Sequence, residues 1–336
     1  MRIDTIARSG PDFLDFQPYV PAIDEAGRVG FQARLADGRS ALLLGDGQRL
    51  EHLFVDPGDL APCSHPDRNS RGELAVYAAR PGGGTALLGL REGRPSVLLD
   101  SGEGGLSAIG PLGPVIDESG RIAFRATRAD GRAAVCSWQG EGFRIEASAG
   151  EEEGIARFEG LPVLAGDAGV LFRADRADGQ QALYRIRGGR STLLALTGEG
   201  FSALSAFPAM NEHGDVAFGA LDPAGRPVLV HRRGAQERQL LPGPGSRIAR
   251  IRGALLAGEA LFCTADIVEG GVAVFGLRDG VLVRVLGSGD PCAGGIVAGL
   301  ALNPVSVNAS GELALRLLFA DGGQAIVRLA GLRPTL

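Results

Sequence analysis

Four residues that lie close together in the sequence form a chemically versatile group: Cys63, His65, Asp67 and Arg68. A histidine titrates near neutral pH and can transfer a proton, and a neighbouring aspartate can orient it or the arginine. Arg68, or Arg250 from elsewhere in the chain, can stabilise developing negative charge. We therefore treat His65, Asp67 and Arg68 as candidate catalytic residues and Cys63 as a candidate ligand contact.

A second polar set consists of pairs that flank an apolar residue, in segments that we assign to the connecting loops between the repeat units described below. If the apolar residues point into the core, their neighbours can surround a channel mouth and bind an anionic or polar ligand. Solvated loop charges are the alternative interpretation. The candidate ligand-binding pairs are Asp15 and Gln17 around Phe16, Arg157 and Glu159 around Phe158, and Arg250 and Arg252 around Ile251.

Composition excludes several function classes. All 34 basic residues are arginine, so Schiff-base, pyridoxal-phosphate and P-loop lysine chemistry is excluded. The net charge of -5 and the absence of an arginine cluster argue against a nucleic-acid partner. No apolar segment is long enough for a membrane span or resembles a signal peptide, which predicts a soluble, cytoplasmic protein without a membrane partner. The four scattered cysteines predict free thiols, and we expect neither a metal site nor a cofactor.

An internal repeat determines the elements that must position these residues. The segment Ile116–Ala126 (IDESGRIAFRA) has counterparts at Ile23–Ala33 and Met210–Ala220, with the pattern [ND]-x-x-G-x-x-A-F. A second marker, a glycine that closes an apolar run, recurs with a similar spacing. The glycine position of the first marker falls at residues 27, 72, 120, 168, 214, 258 and 311. Two markers in phase indicate seven units of one size.

Each unit contains short β-rich runs separated by turn signals, with little room for helices. In the third unit we predict strands at Pro114–Asp117, Arg121–Thr127, Ala133–Trp138 and Phe143–Ala147. Four strands per unit of this length are typical of a β-propeller blade. We therefore predict an all-β protein with one seven-bladed propeller domain, residues 1–336, and blades near 11–58, 59–102, 103–150, 151–198, 199–245, 246–289 and 290–336.

The last unit lacks its fourth strand, whereas residues 2–10 resemble a fourth strand without the three that should precede it. We predict that this N-terminal strand pairs onto the last blade and closes the ring, which removes open sheet edges. The repeat resembles the bacterial tandem-repeat family named for N-x-x-G-x-x-A-F, best at Asn211–Phe218 and, with Asp for Asn, at Asp117–Phe124. This resemblance implies a repeat scaffold and assigns no catalytic residue.

The repeat also shows where one unit departs from the others. At the innermost strand of blade 2, His65, Asp67 and Arg68 stand where the other units carry mostly apolar residues. An ion pair in a wet channel and a distorted strand are the alternatives. The leading hypothesis is recognition of a small molecule or peptide at the channel mouth. The runner-up is a cofactor-independent lyase, isomerase or cyclase that uses His65 as acid and base, and a pure scaffold is the third possibility.

Overall fold

The computed structural model describes residues 1–16, 18–150, 154–243 and 245–332. Seven antiparallel sheets form the blades of a propeller, which confirms the predicted fold class. The inner strand of each blade contacts that of the next, and the circle closes where Pro304–Ser306 meets Ala22–Ile23. In the described residues, no helix is long and apolar enough to cross a bilayer.

The strands run outward from the axis in each blade. Blade 1 contains Phe13–Asp15, Ala22–Ile23, Val29–Leu35, Ser40–Gly45 and Leu50–Val55, and blade 2 contains Ala61–Pro62, Asp67–Arg68, Leu74–Ala79, Thr85–Arg91 and Arg94–Asp100. Blade 3 contains Leu106–Ile109, Val115–Ile116, Ile122–Arg128, Ala133–Gln139 and Gly142–Ser148, and blade 4 contains Ile155–Leu164, Val170–Arg176, Gln181–Arg187 and Arg190–Leu196. Blade 5 contains Ala203–Leu204, Ala209–Met210, Val216–Leu221, Pro227–Arg233 and Gln236–Leu240, and blade 6 contains Ile248–Ala257, Ala260–Ile267, Val272–Arg278 and Val281–Gly287. Blade 7 contains Pro291–Cys292, Gly295–Ala301, Leu313–Phe319, Gln324–Ala330 and Arg2–Arg8. Short 3-10 turns lie at Gly166–Ala168 and Pro304–Ser306.

The innermost strand is longer than the sequence predicts. In blade 3, Leu106–Ile109 and Val115–Ile116 both pair with Ile122–Arg128, whereas the prediction contained only the second segment. In blades 4 and 6 the two segments merge into one strand that is interrupted by β-bulges. Residues assigned to a connection between blades therefore belong to the strand nearest the axis.

The repeated Asn or Asp caps the turn between the two innermost strands. The Oδ1 of Asn211 accepts hydrogen bonds from the backbone N–H groups of His213 and Asp215, at 3.1 and 2.9 Å. Its Nδ2 donates to the carbonyl oxygen of Gly258 in the next blade, at 2.9 Å. Gly214 has a φ of 81°, which favours glycine at this motif position. The motif therefore forms a turn and joins adjacent blades.

The N-terminal strand closes the ring as predicted. Arg2–Arg8 pairs antiparallel with Gln324–Ala330, so Ile3 lies opposite Leu329. The guanidinium of Arg328 binds Asp4 at 2.7 Å and donates at 2.6 Å to the carbonyl oxygen of Gly27 in blade 1. These contacts join the last blade to both the first strand and the first blade.

Apolar side chains occupy the centre of the ring at the level of the second inner segments. One buried cluster contains Ala22, Val115, Leu161 and Val305, which come from blades 1, 3, 4 and 7. Side chains from different sides of the ring thus share one core.

Candidate functional site

A cleft of about 480 Å³ opens where blades 4, 5 and 6 meet. Its apolar surface includes Leu204, Phe207 and Ile251. Its polar surface contains four of the residues that the sequence singled out, together with two others: Arg157, Glu159, Arg250, Arg252, Arg173 and Gln181. This combination of apolar walls and convergent polar groups is typical of a small-molecule site.

The innermost strands of blades 4 and 6 position the predicted pairs. Arg157 and Glu159 lie on Ile155–Leu164, and Arg250 and Arg252 lie on Ile248–Ala257. The expectation that they occupy loops is corrected, because both strands keep pairing with their neighbours through bulges. The intervening Phe158 and Ile251 are buried, as expected for anchoring residues. Residues at alternate positions of a strand share a face, which explains why each pair converges.

Ion pairs hold the exposed arginines in place. Arg157 bridges Asp175 at 2.6 Å and Glu159 at 2.8 Å. On the opposite wall, Asp266 accepts from Arg250 at 3.0 Å and from Arg252 at 2.6 Å. Such pairs contribute little stability at a surface, but they fix where the guanidinium groups point.

Arg173 is the buried arginine of the cleft. Its side chain is 6% exposed, and its Nη1 lies 2.7 Å from Asp175. Its Nε is buried and has no hydrogen-bond partner within the described segments. Burial lowers the pKa of Arg173, and the nearby carboxylates of Asp175 and Glu159 oppose that shift. An unsatisfied buried donor costs about 1–3 kcal/mol, more if charged, so this edge is suited to receive an acceptor.

Sequence reasoning missed Arg173 and Gln181. Both lie on strands further from the axis, where we named no candidate residue. A signal was present: Arg173 follows the phenylalanine of the repeat, where a polar residue alternates with buried ones. Gln181 Oε1 accepts from the backbone N–H of Leu204 at 2.7 Å and thereby fixes the blade 5 wall of the cleft.

The remaining predicted ligand contacts lie elsewhere. Asp15 ends the first inner strand of blade 1, and Gln17 lies outside the described residues. Cys63 is half-buried in blade 2, and burial raises the pKa of its thiol to about 11. The thiol is therefore protonated at neutral pH and weakly nucleophilic.

His65 is enclosed between blades 2 and 3. Its side chain contacts the backbone at Gly113, where an added Cβ would lie 2.5 Å from the ring. Burial lowers the pKa of His65 to about 4, opposed by a hydrogen bond to the backbone of Pro114. The residue is 4% exposed. A substrate can therefore reach this imidazole only if the two blades separate locally.

Asp67 and Arg68 point to opposite sides of their strand. Asp67 Oδ2 accepts from the backbone N–H of Ile116 in blade 3 at 2.8 Å, and its Oδ1 accepts from that of Arg68 at 2.8 Å. Burial raises the pKa of Asp67 to about 7 despite these bonds. Arg68 instead faces blade 1, with its Nε 3.8 Å from Asp24. The polar residues of blade 2 thus contact two different neighbours.

No protein-family model and no curated protein matches this sequence. Solved structures share the fold. A chain described as an oligogalacturonate lyase in complex with manganese gives a TM-score of 0.61 at 11% identity, over 97% of this chain and 96% of that chain. The BP39L lectin from Burkholderia pseudomallei gives 0.53 at 11% identity, also over 97% and 96%. A chain of a mitotic checkpoint complex gives 0.53 at 10% identity, over 98% and 91%. These likenesses show the propeller fold.

Proposed function

We propose that this protein binds a small organic molecule that carries a carboxylate or phosphate group, in the cleft between blades 4, 5 and 6. The observation that carries the proposal is Arg173, a buried residue in the lining of this cleft whose Nε has no hydrogen-bond partner among the described residues. A ligand oxygen there would satisfy a donor that the protein leaves unsatisfied.

The charge balance of the cleft supports an anion. Its four arginines are accompanied by three carboxylates, so one positive charge is left over in a protein whose net charge is -5. The paired groups are Arg157 and Arg173 with Glu159 and Asp175, and Arg250 and Arg252 with Asp266. An incoming anion balances that excess charge, and arginine suits it because its planar donors match a carboxylate or phosphate in two-point contacts.

Shape favours a small molecule over a protein surface. The volume of about 480 Å³ lies within the range of small-molecule sites, and the apolar residues Leu204, Phe207 and Ile251 can contact the carbon skeleton of a ligand. The ligand we expect is therefore an organic acid or phosphate ester with an apolar portion.

The test is a thermal-shift screen of organic acids, sugar acids and phosphate esters, because a ligand that binds only the folded state raises the melting temperature. We expect hits whose thermal shift in Arg173→Gln is smaller than in the wild type. This variant should fold, because Asp175 keeps Arg157 as its partner. Arg278→Gln is the matched control, since it removes the same charge from an exposed side chain outside the cleft. Hits whose thermal shift is the same in Arg173→Gln as in the wild type would refute the proposed site.

A further inference from the structure

Three blades carry an arginine at the same position of their second strand. Arg125, Arg173 and Arg316 each stand five residues after the motif glycine position of their unit. Burial lowers the pKa of all three, so each guanidinium lies in a partly desolvated environment. Comparing what each contacts shows what the position is used for.

In blade 3 the arginine joins two blades. Arg125 Nη2 donates to the carbonyl oxygen of Phe158 at 2.7 Å, and its Nη1 donates to that of Gly160 at 3.2 Å. Both acceptors lie on the inner strand of blade 4. The guanidinium is thereby committed to holding the neighbouring strand.

In blades 4 and 7 a glutamine performs this task instead. Gln181 and Gln324 each stand eight residues after the arginine, on the third strand. Gln181 accepts from the N–H of Leu204 at 2.7 Å, and Gln324 accepts from the N–H of Phe16 at 3.1 Å. Each glutamine therefore fixes the inner strand of the following blade, a task that the arginine itself performs in blade 3.

Arg316 resembles Arg173 in one respect. Its Nε is buried without a hydrogen-bond partner in the part of the chain that the structure describes. The nearest counter-charge that affects it is Asp15 of blade 1, and Arg34 stands opposite Asp15 in the adjacent strand.

We propose that the junction of blades 7 and 1 is a second oxyanion site, in which Arg316 receives a carboxylate or phosphate group through its unpartnered Nε edge. Gln324 fixes the strand that forms the opposite wall. The site lies three blades from the Arg173 cleft and repeats its arginine and glutamine arrangement. An oxyanion accepts the Nε–H and the adjacent Nη–H side by side, the two-point geometry that arginine offers.

Equilibrium dialysis with radiolabelled malonate and, separately, inorganic phosphate tests this site by stoichiometry. The proteins are wild type, Arg173→Gln, Arg316→Gln, the double variant and the Arg278→Gln control, each verified as folded by circular dichroism. We expect two anions per wild-type chain with malonate, phosphate or both, which identifies the preferred oxyanion. Each single variant should bind one, and the double variant none.

The outcomes separate the two sites. Two anions bound to Arg316→Gln, or none bound to Arg173→Gln, would overturn the second site. One anion lost in Arg316→Gln but none lost in Arg173→Gln would support the second site and refute the first. Both sites are overturned if the wild type binds neither probe when the probe is at millimolar concentration and in 50-fold excess over the protein. Arg316→Lys keeps the charge but loses the planar two-point donor geometry of the guanidinium, so we expect at least about tenfold weaker binding than in the wild type.

Discussion

Replacing Asp67 by Asn should change how the stability of the protein depends on pH. Burial raises the pKa of Asp67 from 3.8 to about 7, so the folded protein favours the protonated carboxyl. The contribution of this carboxyl to the free energy of unfolding is at its maximum below pH 3.8 and is lost as pH rises through 7. Three pH units correspond to about 4 kcal/mol, and the part between pH 5 and pH 8 is about 3 kcal/mol.

The wild-type curve alone conceals this effect, because His65 acts in the opposite direction. Its pKa falls from 6.5 to about 4, so the stability it contributes is present above pH 6.5 and is lost as pH falls towards 4. The slopes of His65 and Asp67 oppose each other between about pH 4 and 6.5. The difference between wild type and Asp67→Asn removes the histidine contribution, which both proteins share.

Urea unfolding at pH 5, 6, 7 and 8 measures that difference. The wild type should lose about 3 kcal/mol relative to Asp67→Asn between pH 5 and 8. The hydrogen bond that asparagine fails to accept adds an offset that does not vary with pH. Asp37→Asn, at an exposed carboxylate whose pKa is lowered by Arg39, should show no such trend. A constant difference from pH 5 to 8 would refute our reasoning.

Three further changes test the joints between blades. Gly160→Ala places a Cβ 1.7 Å from the carbonyl oxygen of Ala206 at a φ of 64°, so thermal unfolding should show a loss of at least about 3 kcal/mol. Asn308→Ala removes the cap of its turn and the Nδ2 bond to Asp24, which should cost about 2 kcal/mol in urea unfolding. Deleting residues 1–9 exposes the edge of the last blade, and size-exclusion chromatography should show aggregates.

Each of these has a matched comparison. Gly179→Ala has a φ of 85° but open space around the new Cβ, so it should lose only about 1 kcal/mol, and equal losses in both glycine variants would contradict the steric argument. Asn308→Asp keeps the acceptor and should fall between wild type and Asn308→Ala. Adding a peptide of residues 1–10 should return the deleted protein to the elution volume of the wild type. A deletion variant that elutes with the wild type and is as stable would show that the pairing of the first strand with the last blade contributes nothing.

The fold was predictable because its signals are local and repeated. In the five units that carry an Asn or Asp at the first motif position, that residue caps its own turn, so a cap such as Asn211 is visible in the sequence. The unfinished last unit and the surplus first strand predicted their own pairing. The first half of each inner strand was missed, because bulges and polar residues hide its pairing with the next strand.

The site was predictable only in part. Arg157 and Arg252 were found because they flank buried residues in equivalent segments of different units. Arg173 was missed, because the sequence does not show that Gln181 takes over the bond to the next blade and so frees the guanidinium. That exchange depends on which neighbouring backbone group each side chain reaches. The sequence shows the unusual polar residues of the blade 2 inner strand, but not that Arg68 faces blade 1 whereas Asp67 bonds to blade 3.

The pairing of Arg2–Arg8 with Gln324–Ala330 also has a consequence for folding during synthesis. Arg2–Arg8 leaves the ribosome before the other strands of the propeller, and its partner Gln324–Ala330 emerges only after the first six blades. Throughout that interval Arg2–Arg8 has no partner strand. Its charged residues Arg2, Asp4 and Arg8 keep it hydrated and discourage pairing with other strands. The nascent chain therefore carries its own closing piece in a soluble form until the seventh blade arrives.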